Sequence, residues 1–211
     1  MKKKNGKTKV IAIMLMILAV ILFGFAYIKS MDNKEKKPVM DEVKTVDNIQ
    51  TKEFDYVLYD NKSDLYKEYF SNLKEELMKD EVNDEEYAKI ISKLFVVDFY
   101  SLKDKTTSTD VGGLDFIYEG MKENFILKAT DTIYKYVESN VYGDRKQDLP
   151  KITAINVNQI TKTPLKYKNV QDENGYISKL SIEYEKDMGF PKEVTLSLVH
   201  VESKLYVVEV K

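Results

Sequence analysis

Few side chains in this sequence are equipped for chemistry, and the most informative is Asp98. It lies in "LFVVDFY", four residues after Leu94 and four before Leu102, so a helix through it carries the carboxylate along an apolar stripe. A carboxylate there is costly unless it is paired or faces a wet cavity. It is then either a raised-pKa acid or base lining a pocket, or a structural group bonded to a tyrosine hydroxyl, a lysine or a loop amide. With 15 tyrosines available, the structural reading is preferred, and Asp98 is the one catalytic candidate on offer. His200, the only histidine, shares a strand face with Val194, Leu196 and Leu198. No residue near it in sequence marks a nucleophile, and one histidine without a carboxylate cluster at ligand spacing makes a poor metal site. A half-buried structural histidine is expected.

Two acidic clusters, "NDEEY" from Asn83 and "VQDEN" from Val170, suggest calcium but lack the D-x-D-x-D-G ligand rhythm. The first is explained by a helix start, where carboxylates complement the positive helix end. "DVGGLDFIY" brings two adjacent glycines, Gly112 and Gly113, before an aromatic stretch. A phosphate loop needs G-x-G-x-x-G or G-x-x-x-x-G-K after a buried strand, and neither is present. The pair reads as a corner that uses positive φ. No cofactor or metal site is expected.

The elements that position these residues begin at about residue 54. Before them, Lys2, Lys3, Lys4, Lys7 and Lys9 precede an uncharged apolar run from Val10 to Ile28. A run of about 20 residues spans a bilayer core, and basic flanks stay cytoplasmic. A single-pass membrane anchor with an exported C-terminal part is therefore expected. A signal peptide cleaved near Ala26, at Gly24-Phe25-Ala26, is the competing expectation. The anchor is preferred because the run continues through Tyr27 and Ile28.

With no cysteine there is neither a lipid-modified cysteine, nor a disulfide, nor a thiolate site. Abundant Lys, Asn, Ile and Tyr without Trp points to an AT-rich bacterial genome, and a Gram-positive source is expected. Six of the 33 Lys and Arg, and none of the 35 Asp and Glu, lie within residues 1–29, so the remainder carries a net charge of −8. Such a surface repels phosphate backbones, which excludes nucleic acid as a partner.

The division expected is residues 1–29 as basic flank and anchor, 30–53 as a polar stalk, and 54–211 as the extracytoplasmic domain. The stalk, "KSMDNKEKKPVMDEVKTVDNIQTKE" with its leading Lys29, lacks the apolar density of a core. Ser63 or Asp64 caps a helix with Leu65, Tyr69, Phe70, Leu73 and Leu77 inward. Asn83 caps a second, with Glu86 three residues on. Tyr118 to Val137 reads as one helix of roughly 20 residues with a break near Thr130-Asp131. From Lys151 the period falls to two. Asn174-Gly175 signals a hairpin into Tyr176–Glu185, and Glu202-Ser203 a tight turn between the last two strands. Helices followed by antiparallel strands predict an α+β domain with helices on one face of a curled sheet.

This order of anchor, stalk, helices and antiparallel strands resembles the exported cone-shaped domains of the nuclear-transport-factor-two-like superfamily. Within it, the closest likeness is to bitopic assembly subunits of type IV secretion and conjugation machines, including the TcpC type. The resemblance covers roughly residues 55–211 plus the anchor and rests on element order, so no functional residue is carried over. It implies a non-enzymatic scaffold contacting envelope proteins and copies of itself. The alternative implied by the same superfamily is a cone-pocket enzyme or small-ligand binder using Asp98. A scaffold predicts that substituting Asp98 leaves function intact. A pocket enzyme predicts loss of activity without loss of folding, and loss of both marks a structural carboxylate.

Overall fold

Thr45–Gln50 (β1) and Asp55–Tyr59 (β2) form an antiparallel pair in register Ile49↔Tyr56 and Asn48↔Val57. The computed structural model describes residues 43–211, so the expected anchor over 10–28, the cleavage site near Ala26 and the first part of the stalk lie outside the described residues. The stalk expectation is corrected at its C-terminal end. Thr51 accepts from the Glu53 and Phe54 amides and folds the chain back, and Ile49 is fully buried. One isoleucine on an alternating strand supplies the apolar anchor that average composition concealed. Among the described residues, no helix is long and apolar enough to cross a membrane.

Helix α1 spans Asp64–Leu77, capped by Ser63, whose hydroxyl accepts from the Tyr66 amide. It buries Tyr66, Tyr69, Phe70, Leu73 and Leu77 at three- and four-residue spacing. Helix α2 spans Asp84–Tyr100 and is capped by the Asn83 side chain, which accepts from the Glu86 amide. Glu86 does not close the box. The Asn83 amide donates instead to Glu76 of α1 at 2.8 Å, which ties the two helices at their junction. From Leu94 to Tyr100 every residue of α2 is buried, so the expected stripe widens to the whole circumference. Leu102 is buried too, but in the short 3-10 turn Leu102–Asp104.

The expected helix over 118–137 is shorter. Helix α3 covers Lys122–Asp131, preceded by 3-10 turns at Leu114–Phe116 and Glu119–Met121. It stops at Thr132, whose backbone leaves the helical region. The Tyr134 amide returns to the Ala129 carbonyl at 2.9 Å and seats the ring in the core.

The main sheet has the order β3-β6-β7-β8, antiparallel throughout: Ile152–Lys162 (β3), Tyr176–Tyr184 (β6), Glu193–Val201 (β7) and Lys204–Val210 (β8). Between β3 and β6 a small hairpin is inserted, Leu165–Tyr167 (β4) with Val170–Asp172 (β5). The Asn174-Gly175 expectation is corrected here. Gly175 keeps negative φ, and the two strands that flank the dipeptide are not partners. Its carbonyl accepts from the Thr163 amide at 2.8 Å, so it closes the base of the insertion. Glu202-Ser203 is the expected tight turn, with Glu202 at φ +57. Tyr176, Leu180 and Ile182 share the buried face with Val194, Leu196, Leu205 and Val207. Helix α2 packs against β3, β6 and β8, which makes the described fold α+β with helices against an antiparallel sheet.

Candidate functional site

Asp98 lies in the last turn of α2 and is 8 % exposed. Lys62 reaches it from the loop between β2 and α1, placing Nζ at 2.9 Å from Oδ1 and 2.8 Å from Oδ2. Lys105, just beyond the 3-10 turn after α2, donates to Oδ1 at 2.9 Å, and the Gly113 amide donates to Oδ2 at 2.8 Å. Each carboxylate oxygen thus takes two donors, which fills its acceptor capacity. Burial pushes the carboxyl up, but Lys105, Lys62 and the Gly113 amide together outweigh it and hold the group at about 2. This is the state of a structural anion. A general base at neutral pH needs a free lone pair and a higher pKa.

The glycine corner is built around this group. Gly113 adopts φ +76, and a Cβ there would lie 2.8 Å from the Phe95 ring. At Gly112 a Cβ would fall 2.0 Å from the Asp98 carbonyl oxygen and 2.5 Å from Lys105 Nζ. The Gly112 amide donates to Tyr134 Oη at 3.1 Å, and that hydroxyl donates onward to the Phe99 carbonyl at 2.6 Å. One amide of the pair, that of Gly113, therefore holds an anion after all, but the anion is the protein's own side chain, and the Gly112 amide is taken by a tyrosine hydroxyl. Beside it lies a cavity of about 40 Å³, lined by Lys62, Tyr66, Asp98 and Lys105, with room for one or a few waters.

His200 is held from both sides. Its Nδ1 lies 2.8 Å from Asp172 Oδ2 and its Nε2 lies 2.9 Å from Asp84 Oδ1. The His200 amide also donates to Asp172 Oδ2 at 2.7 Å, the Asn174 amide donates to Asp172 Oδ1 at 2.8 Å, and Tyr176 donates its hydroxyl to Asp84 Oδ2 at 2.7 Å. The two acidic clusters that looked unrelated in sequence thus each lend one carboxylate to the single histidine. The acids approach opposite edges of the ring and converge on no common point. Among the described residues, no group of three or more His, Asp or Glu is placed to hold a metal. The knot binds the start of α2 to β7 and to the inserted hairpin. Asp172 is pushed up by burial, yet is held below the usual carboxylate range by the His200 and Asn174 amides and the imidazole.

A larger cleft opens elsewhere, with a volume of about 800 Å³. The end of α2, helix α3, the last residues of β8 and the β4–β5 turn line it, and Asp98 does not. Phe125 on its wall also packs on Phe99, with ring centroids 5.0 Å apart. Sequence reasoning did not single out Lys62, Asp84 or Asp172 as partners, because nothing in local spacing joins residues so far apart in the chain, and Lys105, seven residues from Asp98, lies past the helix end where helical spacing no longer applies.

No family model matches the sequence, and no curated protein or solved structure matches the chain.

Proposed function

We propose that the chain is a membrane-tethered scaffold or binding module of the bacterial cell envelope, acting outside the cytosol through protein contacts. One observation carries this reading. Both side chains suited to chemistry, Asp98 and His200, are engaged by the protein on every acceptor position or ring nitrogen, and they fasten layers of the fold together. The uncharged run Val10–Ile28 behind a basic flank supports a single-pass anchor with a cytoplasmic N-terminus. The net charge of −8 beyond it supports a surface that avoids nucleic acid. A short hairpin, then helices, then a run of antiparallel strands support a cone-shaped domain like those of conjugation and type IV secretion assembly subunits, with envelope proteins and further copies of itself as partners.

Protease shaving and chemical crosslinking of intact cells test the reading. The domain is expected to be cleaved from outside and to crosslink to other envelope proteins, and deletion of 10–28 is expected to abolish both. A domain that stays protected after the wall has been digested, or that forms no protein crosslinks, overturns it. An enzyme built on Asp98 is the alternative, and it requires Asp98→Asn to remove activity while folding is retained.

A further inference from the structure

The 800 Å³ cleft falls within the range of about 300–1,000 Å³ usual for small-molecule sites. Met121, Phe125, Ile133 and Val210 line it and are only partly buried, so its walls offer apolar surface to an occupant. Three charged side chains join them. Glu209 is neutralised by Lys211 at 2.9 Å and accepts from the Ser197 hydroxyl at 3.0 Å. Lys128 has no acidic partner among the described residues, and Lys168 meets only the Gly120 carbonyl at 3.4 Å and the Tyr167 ring at 5.6 Å. A cleft of mixed lining, with an apolar wall and two unmatched cations, is complementary to a molecule with a greasy body and a negative end.

The neighbouring strand edge argues against an added peptide strand. Along β8 the Leu205 amide already donates to Tyr87 Oη at 3.2 Å, and the Tyr118 amide to the Val207 carbonyl at 3.5 Å, where Ile117 bridges to Val207. Only the last residues of the strand remain open, too short a row for strand addition.

We propose that this cleft binds a single-chain amphiphile, an acyl chain with an anionic head. The chain lies along Phe125 and Val210, and the head turns toward Lys128 and Lys168. The site does not depend on which proteins the domain contacts.

The test uses the full chain in liposomes, labelled with a photoreactive diazirine palmitate and mapped by mass spectrometry. Labels are expected in the 117–133 and 207–210 peptides and to be competed by unlabelled palmitate. Labelling of 10–28 serves as the bilayer control. The double variant Lys128→Gln, Lys168→Gln is expected to lower cleft labelling by about fivefold, as for two partly exposed ion pairs, while a neutral diazirine alcohol of equal length is unaffected. Asn124→Trp, an exposed change at the mouth of the cleft, is expected to lower labelling by both probes at an unchanged unfolding midpoint. Labels confined to 10–28 overturn the proposal, as does cleft labelling that is insensitive to all three substitutions. Sensitivity to Asn124→Trp alone overturns the anionic head, and displacement by an apolar peptide but not by palmitate reassigns the cleft to a polypeptide. Cleft labelling without labelling of 10–28 leaves the proposal standing and removes the membrane anchor instead.

Discussion

The Gly113 amide donates to Asp98 Oδ2 at 2.8 Å, so the corner of the loop that follows α2 is fastened to the last turn of the helix it has just left. Lys62 and Lys105 complete the joint from two other segments, and a single buried carboxylate organises three stretches of chain. Breaking it from the acidic side strands Lys105, whose side chain is 7 % exposed. Asp98→Asn is expected to destabilise the domain by about 3–5 kcal/mol, as for removal of one member of a buried pair. Urea unfolding checks this, and any loss of function should track the folded fraction. A variant of wild-type stability that had lost function would make Asp98 a site residue.

The same joint sets an acid limit. Burial raises the Asp98 carboxyl, but the two lysines and the Gly113 amide prevail and bring it from 3.8 to about 2. The unfolded chain therefore takes up this proton first as pH falls. The stabilisation is complete above about pH 4 and drains away between pH 4 and pH 2, with a total of about 2 kcal/mol. Asp172, also lowered, adds to the loss with the same sign. Unfolding midpoints at pH 6 and pH 3 are expected to differ less in Asp98→Asn than in the wild type, and equal differences would remove Asp98 from the account.

Gly112 and Gly189 offer a controlled comparison. A Cβ at Gly112 meets backbone at 2.0 Å, whereas Gly189, at φ +77, has nothing within 4 Å of a Cβ. Gly189→Ala is expected to cost about 1 kcal/mol of left-handed strain. Gly112→Ala should cost several times more, because a carbonyl in the body of the fold has to move. Thermal unfolding of the two variants ranks them, and a reversed order would contradict the packing at the corner.

His200→Ala leaves Asp84 and Asp172 without the ring that joins them. The expected loss is about 1–3 kcal/mol, chiefly the cost of the buried Asp172 acceptor losing its ring partner, with the partly exposed Asp84 adding little. Hydrogen exchange localises the effect: the amides of residues 200 and 174, both bonded to Asp172, should exchange faster, while that of Leu205 in β8 should not. Uniform acceleration across the sheet would mean that the knot supports the whole fold.

The first strand also yields a test. Ile49 is fully buried and Val46 is 58 % exposed on the same strand. Ile49→Ala is expected to cost about 2–5 kcal/mol, and Val46→Ala to stay within about 0.5 kcal/mol. Equal and negligible effects would return residues 45–53 to the stalk.

Local signals proved sufficient wherever the deciding interaction was local. Ser63 and Asn83 cap the helices they were expected to cap, since a cap is bonded to an amide three residues away. The period of two read from Lys151 onward holds in β6, where Tyr176, Leu180 and Ile182 share one face because strand geometry leaves no other choice. The two-residue turn at Glu202-Ser203 was legible for the same reason. Strand β1 was not, because its burial depends on β2 and the core behind it rather than on its own polar composition. Asn174-Gly175 misled because the partner of β6 is β3, which lies beyond an inserted hairpin.

For the candidate site, sequence identified Asp98, His200 and the glycine pair as residues needing an explanation, and burial alone justified that. Their meaning came from partners brought from afar: Lys62 lies 36 residues from Asp98, and Asp84 lies 116 from His200. Charge pairing inside a fold is set by which segments the core brings together, and no periodicity encodes it. The cleft belongs to the same class, since the C-terminal end of α3 and the end of β8 shape it jointly, and neither segment carries its outline alone.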